Sequence, residues 1–260
     1  MAATNKRARE LARAKEERRR ARQAAAAARR KRRIRFTAIG AVLAVLLVSV
    51  GAYLVSSRNS ADAPSADGPQ PVASCQPPGE QQATQKTFDA PGDGGLGGAA
   101  TATFTLQTNC GDIVIAADAA AAPKTVDAMA FLANEQYFDA TLCHRLTTDT
   151  IFVLQCGDPT GSGTGSPGFT LPDENLPKDT ANNYPAGTVA MANSGPGTSG
   201  SQFFIVYKDT MLPATYTIWG TVTAGLDIVE QVAQAGTADG GTDGAPLQSV
   251  MIQRATAAAQ

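Results

Sequence analysis

One stretch concentrates most of the reactive side chains. Cys143–Asp158, CHRLTTDTIFVLQCGD, holds the sole histidine of the 260-residue chain (His144), Arg145, and two of its four cysteines. Leu142–Leu146 and Ile151–Cys156 are apolar and β-prone, and the polar Thr147–Thr150 between them predicts a turn. Alternation along a strand sends Val153 and Gln155 one way and Leu154 and Cys156 the other. A guanidinium and an amide on one face of an otherwise apolar hairpin point to a binding site or, equally, to an exposed sheet face. A second stretch, Met191–Phe204 (MANSGPGTSGSQFF), brings Asn193, Gln202 and Phe204 onto and around a small-residue turn. Beside the hairpin it would complete a groove with an apolar floor (Phe152, Val153, Phe204), amide edges (Gln155, Asn193, Gln202) and one cation, Arg145. That groove suits an extended peptide, with pockets for a side chain and amides for its backbone. It offers no activated nucleophile and no general base.

Other chemistries fail on inventory. A serine or cysteine nucleophile would have to use His144, which alternation places opposite Arg145, so a hydrogen-bonded core histidine is the expectation. No His/Cys spacing suits a metal. Gly163–Gly168 matches G-x-G-x-x-G, but Pro167 and Pro172 prevent a helix from starting there, so no pyrophosphate site follows. No cofactor and no metal are expected.

The elements that must position these residues begin at about Ala99. Thr101–Thr108 and Asp112–Ala116 predict a hairpin around Asn109-Cys110-Gly111. A helix is expected over Lys124–Asn134 behind Pro123, and another from Leu226 to Ala233, capped by Thr223. Gly187–Ala192, Ser201–Tyr207, Thr215–Val222 and Leu247–Arg254 read as strands, with Phe203 and Ile205 facing away from Phe204 and Val206. Many short strands with two helices imply one antiparallel barrel capped by helices.

Ahead of this domain the charge is sharply divided. Residues 1–35 hold 15 Lys and Arg against 3 Asp and Glu, a charge of +12, whereas the other 225 residues carry −13. Between them Phe36–Val55 has no charged residue and is long enough to cross a bilayer. A single membrane helix over 36–55 is therefore expected, uncleaved, with 1–35 as a basic cytoplasmic arm and the remainder outside the cytoplasm. The arm is read first as a solvated topology signal and next as a contact for anionic lipid, not nucleic acid. Residues 56–98, rich in Pro, Gly, Ser and Ala, read as a disordered linker. Four cysteines outside the cytoplasm favour two disulfides with three possible connectivities. Hairpin proximity suggests Cys143–Cys156, leaving Cys75–Cys110, although regular alternation would put Cys143 and Cys156 on opposite faces unless the strand bulges.

The pattern HR-(x)6-FVLQCGD followed by MANSGPGTSGSQFF resembles the cyclophilin family of peptidyl-prolyl cis–trans isomerases over roughly residues 99–257, and in overall form its membrane-anchored actinobacterial members. The resemblance implies a closed eight-stranded antiparallel barrel capped by two α-helices. It implies Arg145 as the catalytic residue, and Phe152, Val153 and Phe204 as a proline pocket with Leu212 and Met211 at its wall and Tyr216 at its rim. Gln155, Ala192, Asn193 and Gln202 would hold the substrate backbone. The implied partners are proline-containing peptides and unfolded exported proteins, met by a monomer. Three departures stand out: two extra residues between Arg145 and Phe152, Met211 where many members carry tryptophan (so weaker cyclosporin binding is expected), and Tyr216 in place of histidine.

Overall fold

The computed structural model describes residues 75–260. The basic arm 1–35, the membrane helix expected over 36–55 and the expected linker as far as 74 lie outside the described residues. Among the described residues no helix is long and apolar enough to cross a membrane.

The strands are β1 Thr101–Thr108, β2 Gly111–Asp118, β3 Thr141–Leu142, β4 Arg145–Thr147, β5 Val153–Cys156, β6 Thr188–Met191, β7 Phe203–Val206, β8 Ile218–Ala224, β9 Asp243–Gly244 and β10 Met251–Ala259; the helices are α1 Pro123–Asn134 and α2 Leu226–Ala235. β1 alternates buried and exposed residues, as a strand covered on one face should. β6 and β7 are buried at every position. They are buried twice over: Phe203 and Ile205 enter the main core, while Phe204 and Val206 enter a second, smaller apolar cluster on the other face. α1 starts at a proline, whose fixed φ suits the first helical position. Glu174 reaches its N-terminus and accepts hydrogen bonds from the Lys124 and Thr125 amides at 3.2 and 2.8 Å. α2 is not capped by Thr223, which lies in β8. Gly225 precedes it at φ +84°, and a Cβ there would sit 2.3 Å from the Asp112 carbonyl oxygen, so the close approach to β2 demands glycine.

All the ladders are antiparallel, and the strands form one sheet in the order β3-β10-β1-β2-β8-β6-β7-β5-β4-β9. This differs from a closed eight-stranded barrel: the described residues form ten strands, and β3 and β9 at the two ends are not paired with each other. The cause is a break in the expected strand Leu142–Leu146. Cys143 and His144 leave the ladder, so its first part pairs with β10 and its second with β5. Three peptide units cannot span more than about 11 Å, so the sheet must curl until β3 and β4 approach each other. The chain bridges the gap that the ladder leaves open.

The break also resolves the facing of the cysteines. Released from regular alternation, Cys143 turns to bond Cys156, and Cys75 bonds Cys110. Cys143 and Cys156 are both buried. Replacing both by alanine should lower stability by about 3 kcal/mol, the value for a closed loop of this size, measured as a shift in the denaturant midpoint against the wild-type chain under non-reducing conditions.

Residues 75–98, read from composition as part of a disordered linker, have no helix or strand but are fastened to the domain. Besides the Cys75–Cys110 bond, Phe88 meets Phe131 edge to face at 5.0 Å, its amide bonds the Pro167 carbonyl at 2.7 Å, and Leu96 is buried in the core. Hydrogen bonds add to these contacts: the Gly94 amide donates to Asp127 Oδ1 at 3.1 Å, and Asn134 Nδ2 donates to the Gly94 carbonyl at 2.9 Å.

Candidate active site

The two additional residues before Phe152 are absorbed in a tight loop. Thr150 adopts a left-handed φ of 64°, the Ile151 amide bonds the Asp149 carbonyl at 2.7 Å, and the Thr147 hydroxyl accepts from the Val153 amide at 3.2 Å. The register beyond it is undisturbed: Arg145 stands directly opposite Gln155, and Leu146 opposite Leu154. Opposed residues on one face are in side-chain contact, and the Arg145 Nη1 donates to Gln155 Oε1 at 3.3 Å.

From there a chain of amides runs across β5 and β7. Gln155 Nε2 donates to Gln202 Oε1 at 2.9 Å, and Gln202 Nε2 donates to the carbonyls of Gly163 and Gly165 at 3.0 and 3.1 Å. Both glutamines are thereby oriented, each with one end fixed by a partner of defined polarity. Asn193 is held separately, its Nδ2 bonding the Thr215 carbonyl at 2.8 Å and its Oδ1 the Gly195 amide at 3.2 Å. Ala192 donates its amide to the Gln202 carbonyl at 2.9 Å. A cleft of about 330 Å³ opens beside these amides, lined by Gln155, Ala192, Asn193, Gln202 and the Gly163–Ser166 loop.

The apolar floor is the smaller cluster. Val153, Tyr184, Ala190, Phe204 and Val206 are buried together, and Ala192, Leu212, Tyr216 and Ile218 pack against them. The Phe204 ring is 5.5 Å from that of Tyr216 and 6.2 Å from that of Tyr184. Tyr184 was not legible as part of the site; it lies beyond a loop from the nearest motif. Its hydroxyl accepts from the Tyr216 amide and donates toward the Tyr216 carbonyl, both at 3.1 Å, tying the rim segment down, and burial pushes its pKa up to about 12. Leu212 is held by a reciprocal pair of bonds with the Asn183 side chain at 2.7 and 3.1 Å.

Two of the expected pocket residues stand apart. Phe152 does not join this cluster. Alternation from Val153 turns it to the opposite face, where it meets Tyr207 edge to face at 5.9 Å and lies under the Lys208 ammonium. Met211 is 59% exposed. A residue that sequence reading did not single out also reaches the site: Asp243 on β9 binds Arg145 through two oxygens, Oδ1 to Nε at 2.7 Å and Oδ2 to Nη2 at 2.8 Å. The pairing raises the arginine's pKa and lowers the carboxyl's, in each case chiefly through their hydrogen bonds.

His144 lies behind the groove. Contrary to expectation it has no hydrogen-bond partner among the described residues, although both ring nitrogens are buried. Burial lowers its pKa, and the nearby Asp158 carboxylate only partly opposes this. A base whose folded pKa lies below its unfolded value of 6.5 costs the fold stability as pH falls through 6.5 toward the lowered value, because the unfolded chain then binds more protons. His144→Gln should flatten the stability curve in that window, as read from denaturant midpoints at successive pH values; an unchanged slope would exclude His144 as its source.

The sequence model of the family described as cyclophilin-type peptidyl-prolyl cis-trans isomerase/CLD matches residues 103–257, which include every site residue named above. The chain belongs to the cyclophilin family. It is 45% identical over 165 residues to a probable peptidyl-prolyl cis-trans isomerase B of Mycobacterium leprae, covering 59% of this chain and 56% of the relative. A Mycobacterium tuberculosis protein of the same description is 42% identical over 193 residues, 69% of this chain and 62% of that one. The chain thus spans somewhat over half the length of these relatives. A cyclophilin-type isomerase of Cryptosporidium parvum has a similar fold, with a TM-score of 0.52 and 25% identity over 62% of this chain and 99% of its own. A second crystal structure of that protein, determined in the presence of the dipeptide Ala-Pro, gives a TM-score of 0.51 at 25% identity over 59% of this chain and 97% of its own. The cyclophilin fold here differs from the expected barrel in the broken β3/β4 strand, and the cyclophilin pocket residue expected at Phe152 faces elsewhere.

Proposed function

We propose that the chain is a peptidyl-prolyl cis–trans isomerase that rotates X–Pro bonds in exported proteins. The observation that carries this reading is the placement of the Arg145 guanidinium on the same sheet face as an apolar patch, Val153–Phe204–Leu212–Tyr216, and a row of oriented amides. An X–Pro bond resists rotation by about 18–20 kcal/mol because the nitrogen lone pair is delocalised into the carbonyl. A donor aimed at that nitrogen favours the localised, pyramidal form of the twisted transition state. Arginine keeps its proton at any working pH and has five N–H donors; Asp243 and Gln155 engage three, leaving two for the substrate. The apolar patch receives the proline ring, and Asn193, Gln202 and the Ala192 backbone hold the flanking peptide while the other side turns. No covalent step is required: the acceleration is electrostatic stabilisation of the transition state by donors already in place.

The location proposed is the outer side of the cell membrane, with the domain carried by a single helix at 36–55 and acting as a monomer. The charge-free span behind a strongly basic flank supports it, and so do two disulfides, which persist in oxidising compartments. Exchange NMR on an Ala-Pro model peptide with the full-length chain tests the activity. Catalysed exchange well above the background of tens to hundreds of seconds is expected. Tight binding of the peptide with exchange at the background rate would replace the enzyme by a peptide-binding module.

A further inference from the structure

The shortest side-chain hydrogen bond of Arg145 goes to a residue on the edge strand beside its own. Asp243 lies on β9, a two-residue strand paired with β4 at Leu146↔Gly244 and Thr147↔Asp243. A short strand is a poor platform by itself, and the connection from α2 to β10 supplies the missing rigidity. The Ala238 amide bonds the Ala245 carbonyl at 2.8 Å, the Leu247 amide bonds the Gly236 carbonyl at 2.8 Å, and the Thr237 hydroxyl spans to the Gly241 carbonyl at 2.7 Å. The Thr148 amide then ties this loop to the turn after β4 through the Thr242 carbonyl at 2.9 Å. The loop is thus a built hairpin whose tip presents one carboxylate to one guanidinium.

The geometry assigns Asp243 as a positioning residue for Arg145, an inference that rests on the isomerase reading and deepens it. A guanidinium on a flexible stem samples several rotamers, and Arg145 springs from a three-residue strand with 37% of its side chain exposed. Among the described residues its one other side-chain hydrogen bond is the longer contact to Gln155 at 3.3 Å. Two parallel bonds to a carboxylate fix the plane of the guanidinium as well as its position, and with Nε and one Nη2 hydrogen turned toward β9, the remaining donors face away from it. Because Asp243 is itself 54% exposed, the pair adds little to stability. Its consequence is orientation: the donor is held in place before substrate arrives, so the cost of ordering it is not charged against the rotation step.

The test compares full-length wild-type, Asp243→Ala and Asp243→Asn chains by exchange NMR at saturating and subsaturating Ala-Pro peptide, together with the 15N-resolved Nε–H signal of Arg145. Asp243→Ala should lower kcat about tenfold with KM changed less than twofold, and the Arg145 Nε–H should exchange with water markedly faster than in the wild type. Asp243→Asn keeps an oxygen for Nε but turns a donor toward Nη2, so it should fall between the two; it also keeps the shape of the loop, and equal thermal midpoints for the three chains separate positioning from folding. A kcat within twofold of wild type for Asp243→Ala, or a loss expressed in KM alone, would overturn the assignment while leaving Arg145 as the catalytic residue. A wild-type chain that does not accelerate exchange would overturn the isomerase reading itself, and the assignment with it.

Discussion

Arg145→Ala is expected to reduce catalysed exchange at an Ala-Pro bond by about 100-fold or more while leaving the fold intact. The magnitude is that of removing one donor aimed at charge developing in a transition state, about 10²–10³ in rate. The neighbouring amides are poor substitutes: one Nε2 hydrogen of Gln155 and both of Gln202 already donate within the protein, and a neutral amide lacks the charge that strengthens a guanidinium's bond. The fold should be indifferent because the side chain and its partner Asp243 are 37% and 54% exposed, and an exposed ion pair contributes about 0–1 kcal/mol. Arg145→Lys should behave more like alanine than like arginine. An ammonium is a point donor without a rigid fork, so it cannot satisfy both oxygens of Asp243 and still present a hydrogen to the prolyl nitrogen. Exchange NMR, with thermal unfolding as the control, checks both variants; a lysine chain at wild-type rate would show that positive charge suffices and geometry does not matter.

Phe204→Ala should be the most damaging single change in the site, for two separate reasons. The residue is 4% exposed and its ring packs against both Tyr184 and Tyr216. Truncating a buried phenylalanine costs about 3–5 kcal/mol, a large share of the 5–15 kcal/mol by which a domain is typically stable. The same ring is the floor on which a proline would sit, so affinity for a Pro peptide should fall at least about tenfold, the equivalent of 1.4 kcal/mol. Phe204→Leu separates the two effects: it refills most of the volume and should recover most of the midpoint, but not the flat surface and hence not the affinity. Denaturant titration and peptide binding by NMR give the two readouts. Full recovery of binding with leucine would mean that volume alone defines the pocket.

Much of this arrangement is readable in advance, because the period of a strand is two. Facing Val153 and Gln155 away from Leu154 and Cys156, and Phe204 away from Phe203, follows from alternation alone, and the structure keeps both. Local pattern is silent where long-range contacts decide. Leu142–Leu146 is uniformly β-prone, and only the need to pair with β10 on one side and β5 on the other breaks it at Cys143. That same break explains how Cys143 and Cys156 meet despite their expected facing. Phe152 is expected in the pocket from its apolar character and from the resemblance, yet alternation carries it to the other face. Asp243 sits in a run of Gly, Thr and Asp that resembles any surface loop; its significance lies in a partner 98 residues earlier. Thr223 is a plausible cap in isolation, but the close passage of β2 shifts the helix start to Gly225. For residues 75–98 composition suggests a disordered linker and misses the anchoring, since Phe88 and Leu96 are too few to register against so much Gly and Pro.

The gap between β3 and β4 has a temporal consequence. Arg145 is adjacent to the point where the two ends of the sheet are brought together, and the contacts that locate it join segments about a hundred residues apart, β3 with β10 and β4 with β9. Contacts of such high sequence separation form late, because the entropy of closing the intervening chain is spent before they return anything. The domain therefore acquires its donor only when the whole sheet is assembled. A partly folded chain, even one with β1, β2 and α1 in place, has no guanidinium in position and cannot act on its neighbours or on itself. Refolding followed in parallel by far-UV signal and by Ala-Pro exchange should show catalysis returning after the bulk of the secondary structure; simultaneous recovery would place closure of the sheet early instead.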